Sequence, residues 1–565
     1  MPGPQRALVP AALLLLALAA LGGCDQDTSG VTTTPEVASV VVTPGAVLIT
    51  TVGATRALTA SALDANGGVV EDAELTWTSD DAAVGTVTQG GVVTAVASGT
   101  ARISATFEGI SAQAELTVSE SAKPPILFAD GHVITMDPVS RVEEAVLVLG
   151  DRVFATGSSG ELRDLVGPAA LEVDLAGGTV MPGFVDPHSH VYNAVFRGHS
   201  EDRVGTTYAE AQERLIRAGT TTMANGNVWP DALIDFLTFV ESGELRVRTS
   251  VYLGYNDNCG NPWPDGWYLA YPPTRDPEAM FRIPGVKFFG DGGSCNRGAF
   301  SFFADGGDLY LTTQELTAAI VDVQQRGYQV AIHALGDITI DTVLAALETA
   351  LAGGPNTHRH RMEHNRYMYS RQRSRYGEVG AIPVVFGHPF TCEIVDGATG
   401  WGFLANDAYA PLRPRFDAWR ALIDANPGLR VAWKSDAPTH WPLEPISHLW
   451  SLVTRNEARD DGSICDAPDW LAAGAVTVEE ALEMMTIDAA YALFMDEAVG
   501  SLAAGKFADL IVLSANPLSV APAALREIEV RMTMIGGKVE FCMAGHEPLC
   551  PAANPTAIPM AETDG

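Results

Sequence analysis

The chain predicts an α/β protein built around a parallel barrel, with an all-β sandwich ahead of it and a smaller β unit at its flank. Three observations point there. Residues 37–118 are short Val- and Thr-rich runs broken by turn signals. Short apolar runs then alternate with helical stretches over roughly 300 residues, as parallel α/β barrels require. β texture returns near the C-terminus, after residue 495. A length of 565 residues is in any case too long for one ordinary core.

The first element, residues 1–23, reads as an export signal. Arg6 precedes an apolar run from Ala11 to Leu21, shorter than the roughly 20 residues of a membrane-spanning helix. The run ends in Leu21-Gly22-Gly23-Cys24, which resembles the lipobox of bacterial lipoproteins. The resemblance implies lipid attachment at Cys24 and an exported protein, membrane-held through that lipid at the bacterial cell envelope, on the periplasmic face or the cell surface. Residues 24–36, rich in Thr, Ser and Asp, form a flexible tether. Six further cysteines follow, and export permits disulfides among them. Cys542 and Cys550 bracket a short Gly- and Pro-containing stretch that a disulfide could close, but the pairing as a whole stays open. No CxxC pair occurs, so a cysteine zinc site is not expected. The net charge of −34 is spread along the chain, which argues against nucleic acid as a partner.

The second element, residues 37–118, alternates strands such as Ala38–Val42, Glu74–Trp77 and Ala101–Phe107 with turns at Pro44-Gly45, Asn66-Gly67-Gly68 and Gly90-Gly91. A β-sandwich is expected. The order of the pieces resembles the bacterial Ig-like group 2 domain: Val40-Val-Val-Thr-Pro44, then Leu75-Thr-Trp77 with Ser79-Asp80, then Gly85-Thr-Val and Gly91-Val-Val-Thr-Ala. The resemblance implies a spacer with Trp77 as its buried aromatic.

Lys123-Pro124-Pro125 is a stiff break. Beyond it, Ile126–Met136 and Ala145–Val153 read as strands, and Phe507–Leu513 and Val530–Val539 mirror them near the far end. Residues 124–180 and 495–545 therefore combine into a small β-sandwich, with 181–494 as the barrel and 546–565 as a tail. Within the barrel span, Thr221–Ala224 precedes helical Ala232–Val240, and Tyr328–Ile332 precedes helical Thr339–Leu351; Arg430–Trp433 is a late strand, and Val478–Met484 is helical.

The chemistry starts from Met181-Pro-Gly-Phe-Val-Asp-Pro-His-Ser-His190. Residues i and i+2 of a strand share a face, so His188 and His190 converge, an arrangement suited to a divalent transition metal. Further candidates end apolar runs, where barrel enzymes carry their reacting groups. They are His333 in Gln329–Asp337, His364 in Arg359–Asn365 and Asp436 in Arg430–Asp436. Lys287 lies inside the apolar Gly285–Asp291, where a lone ammonium is costly, so it either snorkels or is chemically changed. His388, in Val384-Val-Phe-Gly-His-Pro389, marks a seventh strand end and is either a substrate contact or a hydrogen-bonded structural histidine. Arg361 and Glu363 read as braces of the sixth strand, and Tyr255, Trp433 and Cys295 as packing residues.

Residues 124–545 resemble the amidohydrolase superfamily, closest to its amidohydrolase-3 branch. The resemblance rests on the strings ending in His188-Ser-His190, Val286–Gly293, Ile332–Asp337, Arg361–His364 and Ser435–Pro438, and on the tail Val499–Leu513. It implies a TIM-like (β/α)8 barrel and one or two divalent metal ions, with zinc foremost. His188 and His190 would hold one ion, and His333 and His364 a second. Lys287 would be a carboxylated, bridging lysine. Asp436 would bind metal and act as the catalytic base and acid. Two departures fall on substrate-facing parts: the gap from His190 to Lys287 is short for the branch, and Gly387-His388-Pro389 replaces its usual Gln-Pro-x-His.

The expected activity is hydrolysis of a non-peptide C–N bond in a small molecule, of amide, cyclic amide, urea or formamide type, by metal-activated water. The alternatives are a deaminase, dipeptidase or esterase of the same superfamily, or a non-catalytic surface binding protein; a homo-oligomer is compatible with any of them.

Overall fold

The computed structural model describes residues 36–551, apart from 139–141, 199–203, 265, 294, 398, 399 and 439–441. The export signal, the lipid-attachment residue Cys24 and the tail from residue 552 lie outside the described residues.

The N-terminal unit is an all-β, Ig-like sandwich. One sheet orders Ala46–Ile49, Ile110–Val118, Gly99–Phe107 and Thr76–Ser79; a second orders Thr55–Ala57, Val92–Ala95 and Gly85–Val87. Alternate residues of each strand face inward, as in Gly99–Phe107, where Ala101, Ile103 and Ala105 are buried. Trp77 is buried in this core beside Val47, Val93 and Leu116. Its indole explains Gly91, whose φ of +78° already favours glycine. A Cβ there would meet the Leu58 carbonyl at 2.4 Å and the Trp77 ring at 3.1 Å.

A second small sandwich joins both ends of the catalytic region. Thr179–Pro182 pairs antiparallel with Leu510–Leu513, so strands before and after the barrel share a six-stranded sheet. Three of the four long strands expected at the two ends are broken into a hairpin or a bend by turn residues, and the fourth is the shorter strand Leu510–Leu513. Val530–Ile535 and Lys538–Cys542 flank Gly536 and Gly537, both at positive φ. Ala145–Leu149 and Arg152–Gly157 flank Gly150, and Ile126–Ala129 and His132–Ile134 flank Asp130 and Gly131.

The chain leaves this sheet at Pro182 and enters the barrel two residues later. Eight parallel strands follow in sequence order: Phe184–Ser189, Thr220–Val228, Arg248–Gly254, Phe281–Phe289, Gln329–Ala334, Arg361–His364, Ile382–Phe386 and Ala432–Lys434. The ring is nearly closed. Strands one and eight are joined beyond their paired residues by backbone bonds, His190 N–H to the Ala437 carbonyl (2.7 Å) and Asp436 N–H to the His188 carbonyl (3.1 Å). Outer helices begin where a Thr-x-x-Glu capping box satisfies their first amides: Thr207 with Glu210, Thr312 with Glu315, and Thr477 with Glu480. The helices Pro230–Glu241 and Asp337–Leu351 extend the two helical stretches read from sequence, and Val478–Met485 matches the third. Barrel and small sandwich are locked by a buried ion pair, Arg248 Nε to Asp509 Oδ2 at 2.7 Å.

Three disulfides are present: Cys259–Cys295, Cys392–Cys465 and Cys542–Cys550. The third closes the expected short loop. The first two tie down loops at the mouth of the barrel, next to Asn258 and Glu393, which wall the cavity described below.

Two buried histidines away from that cavity set an acid limit. Burial pulls both His360 and His448 down to about 3, far under the ordinary 6.5. As pH falls below 6.5 the unfolded chain therefore takes up these protons first. The stability these two histidines contribute is complete above about pH 7 and declines through the window from 6.5 toward 3, by about 1.4 kcal/mol per pH unit for each, while the buried carboxyls of Asp186 and Asp488, raised to about 6 and about 7, act in the opposite sense. Thermal unfolding of the native protein and of His360→Gln, compared between about pH 7.5 and about pH 5, isolates the His360 contribution. The slope should be shallower by about one proton in His360→Gln.

Candidate active site

The carboxyl ends of the barrel strands open into a cavity of about 770 Å³, lined by His188, His190, Lys287, His333, His364 and Asp436 among others. All six metal-site residues expected from sequence are thus brought together.

Their ring orientations are set by oxygen partners. His188 Nδ1 donates to Glu363 Oε2 across the barrel at 2.6 Å. His190 Nδ1 donates to the Gly226 carbonyl at 3.0 Å, and His333 Nδ1 to Asp291 Oδ1 at 2.7 Å. With Nδ1 committed in each case, Nε2 carries the free lone pair, the arrangement typical of metal-binding imidazoles. Burial lowers His188 to about 3, with Lys287 and Lys434 adding to the shift, and burial also lowers His333 and His364. These three rings are neutral at neutral pH, as ligands must be.

Distances decide where an ion would fit. His188 Nε2 and His190 Nε2 are 3.3 Å apart, and they lie 3.2 and 3.4 Å from Asp436 Oδ1. Tetrahedral zinc with bonds of about 2.0–2.1 Å has ligand–ligand edges of about 3.3–3.4 Å. The triangle matches one face of that tetrahedron, and all three residues line the cavity. Among the described residues, these are the one group of three or more His, Cys, Asp or Glu residues with such closeness. His364 Nδ1 is buried without a hydrogen-bond partner, 3.9 Å from the other Asp436 oxygen.

The backbone at Asp436 is left-handed. Its φ is +60°, and the next described helix starts at Pro445. Burial by itself would raise its carboxyl, but Lys434, His188 and His190 hold it well below the usual carboxylate range. Lys287 is 1% exposed and its Nζ has no hydrogen-bond partner; burial lowers it to about 7.

A family profile for the amidohydrolase family matches residues 196–541, more than half of the chain, and one for the bacterial Ig-like domain (group 2) matches residues 36–118. The chain belongs to the amidohydrolase family.

Among relatives of this amidohydrolase, the N-substituted formamide deformylase of Arthrobacter pascens is 24% identical over 557 residues, covering 74% of this chain and 99% of that protein. Protein LONG AFTER FAR-RED 3 of Arabidopsis thaliana is 27% identical over 433 residues, covering 71% and 70%. The crystal structure of an uncharacterized metal-dependent hydrolase from Pyrococcus horikoshii OT3 shares the fold, with a TM-score of 0.57 at 18% identity, covering 71% of this chain and 99% of that one. The ochratoxinase of A. niger also shares it, with a TM-score of 0.50 at 18% identity, covering 77% and 99%.

One expected contact moves. His388 lines a neighbouring cavity instead of the amidohydrolase site, because Glu457 draws its Nε2 to 3.0 Å there. Trp433 packs as expected, its indole donating to the Val185 carbonyl at 2.7 Å, and Cys295 is consumed in a disulfide. Glu363 does more than brace. It holds His188 and makes a 2.9 Å ion contact with Arg361. Burial would raise its carboxyl, yet Arg361 and His188 hold it far below the ordinary value.

Three further residues were not singled out from sequence. Asp291 orients His333 and also accepts the Leu335, Gly336 and Ala299 amides. Arg366, two residues beyond His364, lines the cavity and is clamped by Asp417 at 3.0 and 2.6 Å. Lys434 is fully buried, with Nζ 2.9 Å from Asp436 Oδ2. A lysine in the apolar run Ala432-Trp433-Lys434 was the available signal, the same one that marked Lys287.

Replacing Glu363 by Gln keeps the shape but removes the anionic acceptor behind His188. Zinc affinity, measured by competition with a chelating dye, should fall about 10- to 100-fold while the fold is retained.

Proposed function

We propose that the protein is a zinc-dependent hydrolase of a non-peptide C–N bond, with N-substituted formamides as the first substrates to try. The observation that carries the reading is the triangle of His188 Nε2, His190 Nε2 and Asp436 Oδ1 in the lining of a cavity of about 770 Å³. The formamide deformylase, alignable over nearly its whole length, supports the choice of bond. Trp229, Phe289, Phe386, Phe390 and Trp401 line the cavity and suit an apolar or aromatic substituent on the nitrogen.

A divalent ion held by the triangle would lower the pKa of its water toward neutrality and polarise the substrate carbonyl. The remaining steps belong to the chain. Asp436 accepts a proton from the attacking water as the new C–O bond forms, and returns it to the nitrogen as the C–N bond breaks, giving a free amine and a carboxylic acid. Glu363 holds His188 in the ligating tautomer throughout. Lys287 is read as a site of carboxylation by dissolved carbon dioxide, which forms a carbamate N–C bond and releases one proton to solvent: burial keeps the lysine near 7, so its reactive amine form is accessible. The added anion would face the positive field of Arg361 and Lys434.

Export and lipidation at Cys24 belong to the same proposal, placing the enzyme at the cell envelope with the Ig-like unit as its spacer. Three disulfides support an oxidising compartment.

The test is a panel of N-substituted formamides, cyclic amides, ureas and dipeptides with the purified, zinc-loaded protein. Amine release from a non-peptide substrate is expected, and turnover confined to dipeptides would contradict the bond assignment. His188→Ala should lose the metal and at least about a hundredfold in kcat/KM; retention of either counts against the site.

A further inference from the structure

The two oxygens of Asp436 face different partners. Oδ1 completes the triangle with His188 and His190. Oδ2 lies 2.9 Å from Lys434 Nζ and 3.9 Å from His364 Nδ1. Oδ2 thus lies on the side of His364, one of the two residues that the resemblance assigns to a second ion. Here a side-chain nitrogen is already against it.

We propose that Lys434 stands in for a second metal, so that this amidohydrolase works with one ion, held by His188, His190 and Asp436. The inference rests on the metal-hydrolase reading above and specifies its stoichiometry.

Packing leaves Lys434 little freedom to withdraw. It ends barrel strand eight, is 0% exposed, and its Nζ sits 3.9 Å from the centre of the Phe386 ring. Among the described residues Asp436 is its one ion contact, so this carboxylate is the main compensation of its buried charge, with Glu363 and Asp186 adding to it from farther away. Moving it aside to admit an ion would strand that charge in the protein interior, which is strongly unfavourable. Lys287 is buried in the same floor, and while its amine is uncarboxylated the two lysines repel each other electrostatically. A second divalent cation would add to that repulsion at low effective dielectric.

The donors on the far side agree. His333 and His364 do not close with Asp436 into a three-donor group, among the described residues, as His188 and His190 do. Their rings instead pack against each other, with centroids 4.1 Å apart. His364 Nδ1, without a partner, is then available to hydrogen-bond the attacking water or the substrate. A carboxylated Lys287 would find its counter-charge in Lys434 in place of a second metal.

The experiment is metal counting. Full-length protein and Lys434→Ala are loaded with excess zinc, desalted and analysed by inductively coupled plasma mass spectrometry, with circular dichroism confirming the variant's fold. The expectation is about one equivalent for the native protein and about two for Lys434→Ala. Two equivalents in the native protein, or one in the folded variant, would overturn the inference while leaving the metal-hydrolase reading intact. A native protein that holds no metal would overturn both. Should the variant not fold, manganese-loaded native protein decides by electron paramagnetic resonance. An uncoupled single-ion spectrum supports Lys434 as the resident cation, and a spin-coupled pair refutes it.

Discussion

Two backbone hydrogen bonds between the ends of strands one and eight position the centre of this site. The His190 amide reaches the Ala437 carbonyl, and the Asp436 amide reaches the His188 carbonyl. Each residue bonded there is a metal-site side chain or its immediate neighbour. The seam that brings the barrel round is therefore also the frame that sets the separation of His188, His190 and Asp436. A shift of either strand by one residue would turn these side chains to the other face, so the register of the fold and the geometry of the site are one constraint. Asp436 meets it in the left-handed region, an unfavourable backbone state that persists where surrounding structure dictates it.

Beneath that seam lies a floor of buried charge. Glu363 accepts from His188 and contacts Arg361, Asp186 accepts from the Ser435 and His188 amides, and Lys434 meets Asp436. Burying such groups is costly unless each is answered by a partner. The floor consequently stabilises the protein little, but it restricts the rings to one tautomer and one orientation. Lys287 stands out because, among the described residues, no hydrogen-bond partner answers its nitrogen, which lies 5.3 Å from the centre of the Phe289 ring. A site organised this way is pre-arranged for an ion and a substrate, which is where the missing interactions are supplied.

Much of this was legible in the sequence, for reasons that differ by residue. Period-two patterning put His188 and His190 on one face, and the apolar runs ending at His333, His364 and Asp436 marked strand ends, so the cavity's corners could be named before any coordinates. The Ig-like unit was legible through Trp77 and its turn glycines. Long-range partners were not. That Glu363 reaches His188, and that Asp291 reaches His333, depends on barrel closure over many residues, which no local pattern encodes. His388 misled because a strand-end position does not say which of two adjacent cavities its ring will face; Glu457, far along the chain, decided it. The strands of the small sandwich were read too long where Gly150 and the Gly536-Gly537 pair reverse the chain.

The account turns on three donor atoms holding one ion. X-ray absorption at the zinc edge of the zinc-loaded protein tests that most directly. The account predicts a first shell of about four nitrogen and oxygen neighbours at about 2.0 Å, with the outer-shell scattering of two imidazoles. A shell containing sulfur, or one with no imidazole scattering, would contradict it.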